Sequence, residues 1–286
     1  MAPGTEDGPT DPDVTEGFTT VDAQPDPSQL VNAMLATAQW PAVRLLRSWE
    51  WDHLDPRPGE TALDVGCGVG DVATELAVAV GEGGAVIAID ASDAMLGAAR
   101  RRAEAMGVDV DFRVGDATAI DLPDDAVDVV RCERVLQWVP EYEGAISEMT
   151  RVLRPGGRIV VIDSDWSTAR ADVGDDEAAL AFIDSMMEFR GPPATVGRRL
   201  LNLLRQAGLR DVEATATTHL WTTWDPDEPP GGSGLFPMQA TVDQLIDLGE
   251  LDPVLGTRFA AAFVDAGRSD RFFLSVGMVA VGGVQA

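Results

Sequence analysis

Leu63-Asp64-Val65-Gly66-Cys67-Gly68-Val69-Gly70-Asp71 is an apolar run that stops at three alternating glycines and an acid. Residues 61–66 have the length and continuous apolarity of a strand buried on both faces, and residues 69–80 have the pattern of a helix. A glycine-rich turn between strand and helix lets backbone N–H groups approach a ligand closely. A dinucleotide fingerprint would read GxGxxG; here Asp71 stands in the place of the third glycine, where an acid would face a pyrophosphate. The spacing disfavours NAD or FAD and leaves a nucleoside ligand without phosphates.

Outward from this turn the pattern alternates. Residues 85–90, 110–115, 127–132 and 158–163 read as strands, and 92–106 and 141–153 as helices. Continuously apolar strands that alternate with helices specify a parallel sheet covered on both faces. Further on, 175–189 and 197–207 read as helices, 212–220 as a strand, 225–237 as a loop, 242–248 and 254–266 as helices, and 272–281 as a last strand. Upstream, 28–51 is helical and split by Pro41. Residues 1–27 hold five prolines, seven acids and no base, the composition of a disordered leader, although Gly17-Phe18-Thr19-Thr20-Val21-Asp22 could dock on the body. The division expected is leader 1–27, helical cap 28–58, ligand-binding core 59–165, and 166–286 as the rest of the sheet with cap insertions.

The chain has 286 residues, a net charge of −27 and no lysine among its 21 basic residues. Without lysine, pyridoxal-phosphate, Schiff-base and P-loop chemistry are excluded. Two histidines and two cysteines exclude zinc ribbons and multi-histidine metal sites, so no metal is expected. The acidic balance argues against nucleic acid and against an anionic membrane surface. The longest apolar run, 272–283, is too short to span a bilayer, and no secretory signal is visible, which reads as a cytoplasmic protein. A homodimer is compatible with the sequence.

Residues 63–70 resemble motif I of class I S-adenosylmethionine (SAM)-dependent methyltransferases. The other features fall in that family's order. Ile87-Ala88-Ile89-Asp90 is a strand ending in an acid 24 residues after Gly66. Val114-Gly115-Asp116-Ala117, Asp128-Val129-Val130-Arg131-Cys132-Glu133 and Arg154-Pro155-Gly156-Gly157-Arg158 resemble the elements that follow. The resemblance covers about residues 60–165 and is similar to the ubiquinone/menaquinone-type small-molecule branch. It departs from that branch at Arg134-Val135-Leu136-Gln137-Trp138, where a histidine pair is often found. It implies an α/β, Rossmann-like, doubly wound sheet of seven strands, the last antiparallel, with helical cap insertions. It implies SAM as cofactor, held by Asp64, Gly66, Cys67, Gly68, Gly70, Asp90, Ala91, Met95, Asp116, Ala117 and Glu133, with Asp90 on the ribose hydroxyls and Asp116 near the adenine amino group.

By that topology two long connections form a cap over the methyl group. Trp138, Trp166, Phe182, Met186, Met187, Phe189, Trp221, Trp224 and Phe236 are its candidate aromatic and Met-rich lining, which suits an apolar or aromatic acceptor. Phe18, Trp138, Trp166 and Met186 are the chosen pocket residues. Candidate bases are Glu133, Asp165 and His219, with Tyr142 and His53 behind them. The reading is methyl transfer to a small natural-product or quinone-like acceptor. Two alternatives stay open: a non-methylation reaction such as cyclisation on the same fold, and a SAM-binding regulator without turnover.

Overall fold

A computed structural model describes residues 18, 20–23, 26–227 and 238–286. Seven strands form one sheet in the order β3-β2-β1-β4-β5-β7-β6. They are β1 (Thr61–Val65), β2 (Ala85–Asp90), β3 (Asp111–Val114), β4 (Val127–Glu133), β5 (Leu153–Asp172), β6 (Arg210–Trp221) and β7 (Phe273–Val284). β1 to β5 pair in parallel, and β7 inserts antiparallel between β5 and β6. The central strands β1 and β4 are buried almost throughout, as their unbroken apolar runs require. Strand order reverses between β1 and β4, so a crevice opens beyond their carboxyl ends.

Helices cover both faces. α1 (Ser28–Thr37) and α2 (Pro41–Leu54) are separate, with Pro41 at the first turn of α2, where its missing N–H costs no hydrogen bond. α2 packs Ala42, Val43, Leu46 and Leu54 on one sheet face beside α3 (Asp71–Val80). α4 (Asp93–Met106) is capped by Ser92, whose hydroxyl accepts from Met95 N–H at 3.1 Å. α5 (Tyr142–Val152) and α7 (Leu200–Gln206) bury the other face against Leu153, Ile159 and Val161. α6 (Asp176–Arg190), α8 (Met238–Asp247) and α9 (Pro253–Arg268) build a second apolar core. None of these helices is long and apolar enough to cross a membrane, among the described residues.

The structure differs from the sequence expectation at two places. β5 does not stop at Asp163. After an irregularity between Asp165 and Arg170 it pairs again with β7, Arg170 to Asp172 against Ser275 to Phe273. The expected boundary at 165/166 therefore falls inside a strand, and the cap helices stand on an extension of the sheet. The leader is not featureless up to residue 27, since Val21–Ala23 form a 3₁₀ turn with Val21 buried. Residues 228–237 of the expected loop, Phe236 included, lie outside the described residues.

Candidate functional site

The glycine turn is fixed from below before any ligand is considered. Gly66 and Cys67 donate their N–H groups to the Ile89 carbonyl at 2.8 and 2.9 Å, and Gly70 N–H donates to Cys67 O at 2.9 Å. Gly66, Gly68 and Gly70 have φ of 69°, 52° and 70°, the left-handed region that suits glycine. Their surroundings differ. A Cβ on Gly66 would run into Val135, and one on Gly70 would meet Ala99 at 2.7 Å, so these two allow close packing. Gly68 alone meets only a flexible side-chain end, Met34 Cε at 3.3 Å, and it lines a cavity.

That cavity has a volume of about 390 Å³ and lies beyond the ends of β1, β2 and β4. Its nucleoside side is walled by Gly66, Gly68, Asp90, Ala91, Met95, Asp116 and Ala117. Asp90 accepts from Gly68 N–H at 2.8 Å and from Ser92 N–H at 2.9 Å. Each carboxylate oxygen has a second lone pair, so two hydroxyl donors can still be received. Burial pushes the Asp90 carboxyl up, and these backbone donors pull against it. Asp116 is exposed and accepts from Thr118 N–H and Oγ1 at 2.7 and 2.8 Å. An open cradle at Gly68 beside a paired-acceptor carboxylate fits a ribonucleoside such as that of SAM.

The opposite side is aromatic. Trp138, Trp166, Trp40 and Trp221 line it together with Arg134, Gln137 and Ser164. Gln137 links several of these: it accepts from Trp166 Nε1 at 2.6 Å and donates to Arg134 O at 3.2 Å. Phe18 covers Trp138 with ring centroids 5.7 Å apart. Next to it, Asp22 accepts from Ser92 Oγ at 2.6 Å and from the N–H groups of Asp93 and Ala94 at 2.9 and 3.1 Å. The docked 3₁₀ turn thus seals the start of α4 beside Met95.

Glu133 lines the cavity but is fully engaged. Arg47 forks onto it at 2.6 and 3.0 Å, Arg131 donates at 2.7 Å and Arg134 at 3.1 Å. Against the upward push of burial, Arg47, Arg134 and Arg131 hold its carboxyl far below the ordinary range. It is a poor proton acceptor and a good fixed charge. Asp71 also takes Arg47 at 2.5 Å, which explains an acid where a dinucleotide site has glycine.

Several residues selected from the sequence lie away from the cavity. Asp64 is wholly buried and bound to Arg131 at 2.8 Å. Cys67 is buried in the apolar layer, where burial pushes its thiol up. Gly70 packs on α4. Met186 is in the second core, and its neighbour Phe182 stacks on Phe259 at 4.2 Å, so Met186 is cap interior and not pocket wall. Asp165 takes Ser167 Oγ at 2.5 Å and lies 3.8 Å from Arg198. Tyr142 is in the core under α5, and His53 stacks on Trp49 at 3.6 Å. His219 is shielded behind Trp40, stacked at 3.9 Å; burial, then Arg134, lowers its pKa to about 4. Trp40, Arg134, Gln137 and Met34 were missed as wall residues. The only sequence signal for Arg134 is its place directly after the β4 acid, and Trp40 reads as the junction of two helices.

Residues 63–161 match the family model described as a methyltransferase domain. A transposon protein of Streptomyces fradiae, described as uncharacterized, is 41% identical over 167 residues, 58% of this chain and 48% of that protein. Demethylmenaquinone methyltransferase of Bacillus cereus is 37% identical over 116 residues, 40% of this chain and 49% of that enzyme. These matches span about half the length of the curated relatives. The solved YcgJ protein of Bacillus subtilis superposes with a TM-score of 0.56 at 17% identity, over 85% of this chain and 98% of that one, which shows a common fold. Residues 63–161 are thus similar to a methyltransferase domain, and the cradle at Gly68 and Asp90 fits SAM, the cofactor of the class I methyltransferases that their motifs resemble.

Proposed function

We propose that the chain transfers a methyl group from SAM to a small acceptor, apolar or aromatic in its body. The observation that supports this most is one continuous cavity that joins the Gly68–Asp90 end to the Trp138–Trp166 wall. Such a space accommodates a nucleoside at one end and a second molecule at the other. The likeness to a demethylmenaquinone methyltransferase favours an aromatic, quinone-like body for that molecule.

SAM supplies a methyl group already activated by its sulfonium. The residues around it then have three tasks. Asp90 and the open backbone at Gly68 orient the nucleoside, with Met95 and Ala91 beside it. Glu133 holds Arg47, Arg131 and Arg134 in place and so fixes its end of the cavity. Trp138, Trp166 and Phe18 exclude water and align the acceptor, which is where most of the rate enhancement originates when the leaving group is already good. Neither His219 nor Glu133 is placed to act as a base.

Incubation with methyl-labelled SAM and a panel of hydroxylated naphthalenes, naphthoates and anthraquinones tests this reading. Label is expected in an acceptor, and Trp138→Ala is expected to lower its turnover by at least about tenfold, roughly 1.4 kcal/mol of transition-state stabilisation. S-adenosylhomocysteine (SAH) affinity and the melting temperature should change little. No transfer to any panel member, or normal turnover in a folded Trp138→Ala, would count against the assignment.

A further inference from the structure

Four buried nitrogens at the acceptor side of the cavity have no hydrogen-bond partner among the described residues: Arg134 Nη2 and Trp221 Nε1 on residues that line it, and Arg190 Nη1 and His219 Nε2 behind its tryptophans. A buried donor left unpaired costs about 1–3 kcal/mol, and more when charged, so four in one place need an explanation. They are grouped. Trp40 stacks on His219, meets Trp221 edge-on at 4.8 Å, and lies 5.9 Å below the Arg134 guanidinium. Arg190 lies over Trp138 at 4.2 Å and over Trp166 at 5.1 Å, and its Nη2 reaches the Gln137 carbonyl at 3.5 Å. Gln137 in turn donates to the Arg134 backbone carbonyl at 3.2 Å, so both arginines meet one residue of the cavity wall, Arg190 through its guanidinium and Arg134 through its main chain.

The three on Arg134, Arg190 and Trp221 are N–H donors. No carboxylate contacts the Arg190 guanidinium among the described residues. Arg134 has only Glu133, which it shares with two other arginines. Asp163, the acid whose charge reaches Arg190, is buried and occupied by the N–H groups of Ser164 and Gln137 at 2.8 and 3.2 Å. A chain of net charge −27 has thus kept two under-compensated arginines beside its cavity, Arg134 in the wall and Arg190 behind Trp138 and Trp166. What the site lacks is acceptor oxygens with negative charge. A planar guanidinium matches a carboxylate in a way that a neutral carbonyl does not.

We propose that the methyl acceptor is an organic carboxylate, its apolar body against Trp138 and Trp166 and its carboxylate received by Arg134 and Trp221 Nε1, with Arg190 adding positive charge from behind the two tryptophans. The proposal deepens the methyl-transfer reading and rests on it. It makes the selectivity of the site electrostatic at one end and apolar in the middle.

Calorimetry on the SAH-saturated full chain compares 2-naphthoate with 2-naphthamide, a neutral probe of nearly the same shape. 2-Naphthoate is expected to bind at least about tenfold more tightly, since hydrogen bonds to charged groups exceed neutral ones by that order. Arg134→Gln and Arg190→Gln should each reduce that ratio severalfold, and Arg190→Lys should reduce it less than Arg190→Gln. Arg190→Gln should leave SAH affinity unchanged, which also shows that the variant is folded. Equal affinity for the two probes, no binding of 2-naphthoate, or a ratio unchanged in both glutamine variants overturns the proposal. Should SAH itself fail to bind, the cofactor reading fails, and the same comparison on the unliganded chain still decides the role of the arginines.

Discussion

Asp163 sits in the middle of β5 beneath the cavity wall, and its environment makes the fold sensitive to pH. Burial raises its carboxyl to about 7, although backbone N–H groups of Ser164, Gln137 and Leu136 pull it down. An unfolded aspartate titrates near 3.8. Between about pH 4 and 7 the folded chain therefore holds a proton that the unfolded chain has released, and stability falls as pH rises through that window. Urea melts of the wild type and Asp163→Asn should diverge across it, the variant gaining up to ~4 kcal/mol relative to wild type at the upper end (about three units at 1.36 kcal/mol each). Parallel curves would contradict the buried, protonated carboxyl. At this scale the sequence is uneven to read. Asp90 and Gly68 are legible because a strand-ending acid and a turn glycine are local patterns. The pairing of Glu133 with Arg47 spans 86 residues, and nothing local announces it. For the same reason Glu133 reads as a candidate base until its three arginines are seen.

The elements most exposed to misreading are those whose role is set by distant partners. Helix and strand order through β4 follows from apolar periodicity, and Pro41 marks the break between α1 and α2. The extension of β5 to Asp172 does not, because it depends on pairing with β7 about a hundred residues later. The apolar helix face that carries Met186 reads as pocket lining, but an apolar face only demands burial, and α9 supplies it. The 3₁₀ turn Val21–Ala23 is the opposite case, a short element that shapes the site. Asp22 accepts from three donors at the start of α4, a cap delivered from some 70 residues away, and these hydrogen bonds hold its carboxyl below the ordinary range although burial pushes it up. Asp22→Ala should cost about 1 kcal/mol of stability, the usual loss for an N-terminal cap. It should also weaken SAH binding severalfold, because Val21 packs on Met95 beside the nucleoside end. Unchanged melting and unchanged SAH affinity would mean that the turn rests on the surface without consequence.

Across the whole molecule, charge is arranged by depth. The surface is acidic, and the interior ties α2, β1 and β4 together through Arg131, which binds Glu50 and Asp64 at 2.8 Å and Glu133 at 2.7 Å. Removing one member of such a buried set usually costs about 3–5 kcal/mol, because the remaining charges stay buried and unpaired. This network lies directly under the glycine turn and fixes the Glu133 end of the cavity. The cavity therefore joins a rigid, charge-locked floor to an aromatic roof built from the α1–α2 junction, the segment after β4 and strands β5 and β6. Its central consequence is a nucleoside site at Gly68 and Asp90. Isothermal calorimetry of SAH binding to the wild type and to Asp90→Ala tests it most directly. Saturable one-to-one binding is expected in the wild type, with a loss of roughly 2–4 kcal/mol in a folded Asp90→Ala from two hydrogen bonds to a charged acceptor. No binding to the wild type, or the same affinity in both proteins, would contradict it.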